Sequence, residues 1–324
     1  MKKTKKAFKV VLWVVAILAL ALIAGMITLL VIMERPAPPN IYTSASQGYQ
    51  AKDRKDDFFT FLIVGLTEGL NANTIMVGAY DGVAGQINII SIPRDTRVDM
   101  QRNNRKIVAA YPVGRLGGGG HDGGIERLKY EVSTLIGFRP DFYIRIDYEA
   151  FEAIIDTIGG IELYVPFRMY YHDPCQNLHI DLQEGLQTLS GADALRFARY
   201  RTGTTGISPT ISDYRRIEHQ QQVVEAAINK VIHPASILRI PQFISIFNQY
   251  VYSDLTTGEL VWLANQARRI GISNLNFYTL PMSGTSGAPM WYELVDEPVA
   301  LDLINRTVNP LKRDITTDDV RIIR

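Results

Sequence analysis

Residues 199 to 222 read RYRTGTTGISPTISDYRRIEHQQQ, with Arg199, Arg201, Arg215 and Arg216 on either side of a loop of Gly, Thr, Ser and Pro. Guanidinium forks grip phosphate oxygens in pairs and stay charged at every physiological pH. A helix over Asp213–Ile232 puts Asp213, Arg216 and Gln220 on one face, and its N-terminus adds free N–H groups and the positive end of the dipole. Arg199 and Arg201 are two apart, so in an extended stretch both side chains leave on the same side. Such a set suits the capture of a phosphate or pyrophosphate, although a charge count alone is equally met by a solvated arginine-rich loop.

A second candidate is SIPRDTR, residues 91 to 97. It follows a strand expected near the centre of a sheet, where open α/β folds carry their functional loops. Arg94 there is a candidate anion clamp and Asp95 a carboxylate partner, and a purely structural ion pair explains the motif as well. The one cysteine, Cys175, excludes an intramolecular disulfide and a cysteine-based zinc cluster, and reads as a small packed residue. His121 and Asp122 in GGGGHDGG read as a flexible glycine turn without a chemical role. His172, Asp173 and His179 flank an expected hairpin and read as structural.

Charge and hydropathy place these motifs. The first nine residues carry five lysines, and residues 10 to 33 hold no charge. As a helix that run is about 36 Å long, enough to cross a bilayer core, and the flanking lysines put the N-terminus in the cytoplasm. The expectation is a cytoplasmic tail at 1–9, a transmembrane helix at 10–33 and a Pro- and Ser-rich linker at 34–57, with the rest outside the membrane. A cleaved signal peptide fits less well, because its apolar region is shorter and ends at a small-residue site. Six basic groups and one acid precede residue 36, so the remainder of this +1 chain is mildly acidic. That charge gives no nucleic-acid footprint.

From Phe58 the pattern is α/β. Residues 58–65, 73–81 and 85–93 are β-branched runs, with Asp81-Gly82 as a turn between the second and third. Helical periods follow at 125–137, 148–160, 191–201 and 213–232, and strands at 141–148 and 161–166. Residues 178–190 read as a hairpin or a strand-turn insertion. Two more helices and the strand NLNFYTLP complete residues 233–324, with no compositional break. The alternation predicts an α/β/α sandwich around a mixed central sheet.

In order and spacing, NTIMVGAYD, NIISIPRDTRV, RKIVAAY, GGIERLKYEVSTLIGFRPDFYIRIDYEAFEAIIDTIGGIELYVP, LHIDLQEGLQTLSGADALRFARYR and DYRRIEHQQQ resemble the LytR-CpsA-Psr (LCP) family of envelope glycopolymer phosphotransferases. The resemblance covers about residues 58 to 232 and leaves 233–324 as an extension packed on the LCP domain. It implies a membrane-anchored enzyme that holds a polyprenyl pyrophosphate in an apolar groove. With Mg²⁺, such an enzyme moves the attached phosphorylated glycopolymer, teichoic acid or capsule, to a peptidoglycan hydroxyl. Carried over by motif, it implies catalytic roles for Arg94, Arg199 and Arg201. It implies pyrophosphate contacts for those three and for Lys106, Asp213, Arg216 and Gln220. Phosphoryl transfer rests on charge neutralisation more than on covalent chemistry, so the residue types agree.

Two positions depart from the pattern. Where the family carries two metal-binding aspartates, this chain has Thr67 and Asn73. Mg²⁺ prefers carboxylate oxygens, so the candidates left to hold it are Glu68, Asn73 and Thr67. A further departure is His219, where many members have Arg. The resemblance therefore carries two readings: an active transferase with a weakened metal site, or a catalytically weak paralogue that binds lipid pyrophosphates as a scaffold or regulator.

Overall fold

A computed structural model of the chain describes residues 34–37, 51–67, 70–100, 104–176, 178–233, 240–286 and 290–323. The expected cytoplasmic tail and transmembrane helix, and Glu68, lie outside the described residues. Among those residues no helix is long and apolar enough to cross a membrane.

The first three strands are β1 (Phe58–Leu66), β2 (Ala72–Asp81) and β3 (Gln86–Ser91). Helices α1 (Ala110–Gly114) and α2 (Gly120–Ile136), strand β4 (Phe142–Ile146) and helix α3 (Tyr148–Thr157) follow. Next come β5 (Ile161–Val165), β6 (Met169–Asp173), β7 (Leu178–Leu182), β8 (Gly185–Leu189), α4 (Gly191–Arg199) and α5 (Asp213–Ile232). The last third holds α6 (Ile240–Tyr250), β9 (Tyr252–Ser253), α7 (Thr257–Ile270) and β10 (Leu275–Thr279), then β11 (Met282–Ser286), β12 (Tyr292–Val295) and α8 (Glu297–Thr307).

Six strands form the central sheet in the order β10-β3-β2-β1-β4-β9. It is mixed: β1 runs parallel to β4 and β10 parallel to β3, while β2 and β9 run antiparallel to their neighbours. Alternation along β1 assigns its two faces. Leu62, Val64 and Leu66 pack with Leu128 and Val132 of α2 and Leu303 and Ile304 of α8. Phe59 and Phe61 pack on the other face with Leu260 and Trp262 of α7. Helices therefore cover both faces, as a sheet buried on both sides requires. A third cluster joins α3, α4 and α5 to β5–β8.

Three expectations change. Residues 178–190 are not one hairpin, because β7 pairs with β6 and β8 pairs with β5 across that pair. Gln183-Glu184-Gly185 gives a turn signal between β7 and β8, which do not pair with each other, and the alternation of apolar residues does not name a partner strand. The expected extension does more than pack on the domain, since it supplies the edge strands β9 and β10. The expected linker is built into the fold at both ends. Glu34 N–H donates to Gly258 O at 3.2 Å and Arg35 pairs with Asp57 at 2.8 Å. Residues 53–55 bond to Pro310 and Lys312.

Polar residues lock the strand ends. Asp141, just before β4, accepts from Arg54 at 2.8 Å, Thr60 N–H at 2.9 Å and Thr60 Oγ1 at 2.8 Å, all buried. This ties the start of β4 to β1. Asp141→Ala leaves the Arg54 charge buried without that carboxylate. Urea unfolding is expected to show a loss of about 3–5 kcal/mol, and a loss under about 1 kcal/mol contradicts the assignment.

His219 on α5 is buried with its ring 4.6 Å from that of Phe197, and Nδ1 has no hydrogen-bond partner. Burial pulls its imidazole down to about 4. The folded value lies below the unfolded one, so the unfolded chain takes up the proton first. Stability from this group is full above about pH 6.5 and falls as the pH drops toward 4. From about pH 7.5 to about pH 5 the expected loss is about 2 kcal/mol. His219→Leu should flatten that part of the stability-pH curve, and an unchanged slope refutes the account.

Candidate functional site

Strands β1, β3, β4 and β10 all run in one direction, so their C-terminal ends share one edge of the sheet. A cavity of about 610 Å³ lies at that edge. Thr67 follows β1, Asp147 follows β4, Arg94 follows β3, and all three line it with Asn73 at the start of β2. Ile63 of β1, Phe151 of α3, Leu195 of α4, and Val223 and Val224 of α5 add an apolar wall.

The charged wall is built around α5. Ser212 caps the helix by accepting from Arg215 N–H at 3.2 Å, which fixes where the first turn begins. Gln221 of the same helix donates to Ser91 Oγ and Tyr278 O, each at 3.0 Å, and so ties α5 to the ends of β3 and β10. Asp213 in the first turn then meets three arginines. Arg216 lies 2.9 Å from its Oδ1, and Arg94 and Arg201 each approach to 3.7 Å. Arg216 is buried, and burial lowers its pKa, with Asp213 opposing and the Arg94 and Arg201 charges adding to the effect. The Nε groups of Arg94 and Arg216 are buried and find no hydrogen-bond partner in the protein. With Arg94, Arg201 and Arg216 all lining the cavity, this wall carries a concentrated positive charge.

The structure brings Arg94, Arg199, Arg201, Arg216 and Gln220 to this cavity, with Thr67 and Asn73. Asp213 holds the arginines together. Arg199 does not share an extended stretch with Arg201. It is the last residue of α4, and its guanidinium stacks 4.6 Å from the centre of the Tyr148 ring. Lys106 pairs with Asp95 at 2.9 Å and is not among the lining residues. Through Asp95 it is tied to the Arg94 loop. Arg215 pairs with Glu218 on the exposed face of α5. Cys175 is exposed and lines the cavity, so it is not a packed core residue.

Sequence reasoning missed Asp147 and Tyr148, which both line the cavity. An Asp between an alternating strand and a helical period is an N-cap signal, and Asp147 accepts from Ala150 N–H at 3.0 Å. It also missed a cluster at the same sheet edge. His121 Nδ1 stands 2.6 Å from Tyr111 Oη and 2.5 Å from Arg145 Nη1. Burial, with the charges of Arg145 and Arg115, lowers the His121 pKa. The stretch expected as a glycine turn is helical from Gly120 on, and its histidine, in the first turn of α2, is engaged.

Magnesium, implied by the resemblance, asks for carboxylate oxygens. Thr67 and Asn73 offer neutral oxygens, and Asp147, the one acidic lining residue among the described residues, already accepts from Ala150 N–H. Among the described residues no three His, Cys, Asp or Glu side chains stand close enough together to hold a metal ion. Among the described residues that donor set is short of the carboxylates Mg²⁺ prefers, and Glu68, the carboxylate expected to hold it, lies outside them.

The LytR_cpsA_psr family model matches residues 39–308, so it takes in both arginine motifs, the whole cavity and the segment after α5. The regulatory protein MsrR of Staphylococcus aureus is 26% identical over 186 residues, 56% of this chain, and the chain spans about half, 51%, of that relative's length. The Bacillus subtilis polyisoprenyl-teichoic acid–peptidoglycan teichoic acid transferase TagV is 26% identical over 270 residues, 79% of this chain and 65% of TagV. The crystal structure of TagV superposes with a TM-score of 0.63 at 23% identity, covering 78% of this chain and 96% of that one. A structure described as TagT bound to LIIa-WTA superposes at 0.63 with 19% identity, covering 83% and 98%. With the family model matching residues 39–308, most of its length, the chain belongs to the LytR-CpsA-Psr family.

Proposed function

We propose that this protein is a membrane-anchored envelope transferase. It moves a phosphorylated glycopolymer from a polyprenyl pyrophosphate carrier to a peptidoglycan hydroxyl. The observation that carries the reading is the guanidinium cluster on Asp213, set in a cavity whose other wall is apolar. A lipid-linked pyrophosphate needs both surfaces at once. The relatives TagV and TagU of Bacillus subtilis, named as polyisoprenyl-teichoic acid–peptidoglycan teichoic acid transferases, support the substrate class.

In this reading the acceptor hydroxyl oxygen bonds to the phosphorus that bears the glycopolymer and gives up its proton to solvent, and the bridging P–O bond breaks. Polyprenyl phosphate leaves. Negative charge grows on the bridging and terminal oxygens as this happens. Arg94, Arg201 and Arg216 neutralise it from fixed positions, because Asp213 has aligned them before substrate arrives. Gln220, whose Nε2 reaches Ala198 O at 3.5 Å, and Arg199 on Tyr148 shape the same wall. The residues after Met33 stand outside the membrane, and the run at 10–33 is the anchor.

A second reading is favoured by one observation, the neutral pair Thr67 and Asn73 among the lining residues. Without the usual carboxylates the protein would bind the lipid carrier as a scaffold or regulator and turn over poorly. Transfer of radiolabelled glycopolymer to peptidoglycan by the full-length protein separates the two. Turnover that Arg94→Ala abolishes supports the transferase, and none above background leaves the scaffold.

Both readings require the cradle. Arg94→Ala and Arg201→Ala are each expected to weaken binding of a polyprenyl pyrophosphate by about 10- to 100-fold, the loss of one charge-assisted contact. Equal affinity of both variants and the parent in a fluorescent-lipid titration would overturn the cradle.

A further inference from the structure

Resting on the reading of residues 10–33 as a membrane anchor, we propose that a strap at Glu34 and Arg35 stands the domain on the lipid surface, on the sheet edge where β1 begins. The arginine cradle then sits at the edge that faces away from the bilayer. The anchor run ends at Met33, and the fold takes hold of the chain at the next residue. Glu34 N–H donates to Gly258 O, in the first turn of α7, at 3.2 Å. Arg35 pairs with Asp57 at 2.8 Å and lies 5.7 Å from the centre of the Phe59 ring. Asp57 and Phe59 mark the N-terminal end of β1, whereas Thr67, which lines the cavity, follows its C-terminal end. A strand of nine residues spans about 30 Å, so the cradle lies about that far from the point where the anchor leaves the fold.

One strap by itself would let the domain stand or lie over, and the length of the anchor run selects between them. As a helix, residues 10–33 measure about 36 Å against a hydrocarbon core of about 30 Å, which leaves about 6 Å to spare. β1 lies inside the sheet, with β4 and β9 on one side, β2, β3 and β10 on the other, and helices over both faces. A domain lying on any of these flanks puts at least about 10 Å of protein between strap and lipid, the width of two strand spacings or one helix. Closing that gap draws the apolar end of the run, LLVIM, out of the bilayer. Standing on the β1 edge draws out none of it. The turn between β2 and β3 shares that edge and then faces the lipid, with Val83 in it 78% exposed. A pyrophosphate held by Arg94, Arg201 and Arg216 is thereby raised about 30 Å from the lipid, toward the acceptor. Its carrier chain follows the apolar wall of Ile63, Phe151 and Val223 back toward the membrane.

Cys175, the one cysteine, is exposed and lines the cavity, so the parent takes a label at the cradle. Val83→Cys in a Cys175→Ser background takes one at the opposite edge. The full-length protein, reconstituted into vesicles with an acceptor dye on the lipid headgroups, is labelled from outside with a membrane-impermeant donor maleimide. Energy transfer is expected to place the donor at 175 at least about 20 Å farther from the lipid than the donor at 83. Equal distances, or a donor at 175 nearer the lipid, overturn the inference and leave the anchor standing. A flexible Gly-Ser insert of about 15 residues between Met33 and Glu34 frees the domain to tumble and is expected to erase the difference. A difference that survives the insert shows that the strap does not set the height, and overturns the inference as well. Protein that fails to float with the vesicles overturns the anchor reading beneath it.

Discussion

Three arginines reach one carboxylate at Asp213, and the rest of the site depends on that excess of charge. Like charges a few ångströms apart repel strongly at a half-buried position, so the cluster holds only if the fold over-determines it. Each arginine comes from a different element. Arg216 is on α5, Arg94 follows β3 and Arg201 follows α4. The Ser212 cap and the Gln221 tether set α5, and Gly191 lets α4 lie against α3, where a Cβ would meet the Glu152 backbone. Repulsion is thereby held in place, and an anion releases it. Preorganisation of this kind is what phosphoryl transfer draws upon, because no donor has to move as charge develops.

The apolar wall answers to the same geometry. α3, α4 and α5 pack with β5–β8 into a core of their own, separate from the two clusters on the central sheet. The cavity lies between that core and the sheet edge, so Ile63 from the sheet and Val223 from α5 face it together. A charged surface thus adjoins an apolar one at the seam between them. Domain-like seams of this sort are where ligand sites collect.

Much of this was legible in the sequence, and the gaps have physical causes. Asp213, Arg216 and Gln220 share a face through helical periodicity alone, so their convergence followed from spacing. Arg94 followed from a strand ending in Pro-Arg-Asp. Arg199 did not follow, because α4 ends on it, so Arg199 leaves from the helix while Arg201 leaves from the loop beyond, and Tyr148 captures the Arg199 guanidinium. Lys106 was carried over by motif, but its distance from the cavity wall is set by Asp95, a neighbour from another loop. The β5–β8 pairing and the strand role of Tyr252–Ser253 depend on partners more than 20 and 100 residues away, which alternation does not encode.

The segment after α5 shows how far the site extends beyond the motifs. β10 lies beside β3, and Leu280 N–H donates to Ser91 O at 2.9 Å, just before Arg94. Glu293 of β12 then bonds through its backbone to Asp95 and Arg97, on either side of the loop's turn, at 3.0 and 2.9 Å. On the inner side Val108 N–H donates to Arg94 O at 3.1 Å. The Arg94 loop is therefore held from two directions. Glu293 also accepts from Tyr214 at 3.3 Å, and burial together with that carboxylate raises the Tyr214 phenol to about 12, so it stays a donor at any physiological pH. Tyr214 is the residue after Asp213. The C-terminal hairpin thus fixes the distance between the Arg94 loop and the first turn of α5, and with it the reach of Arg94 to Asp213.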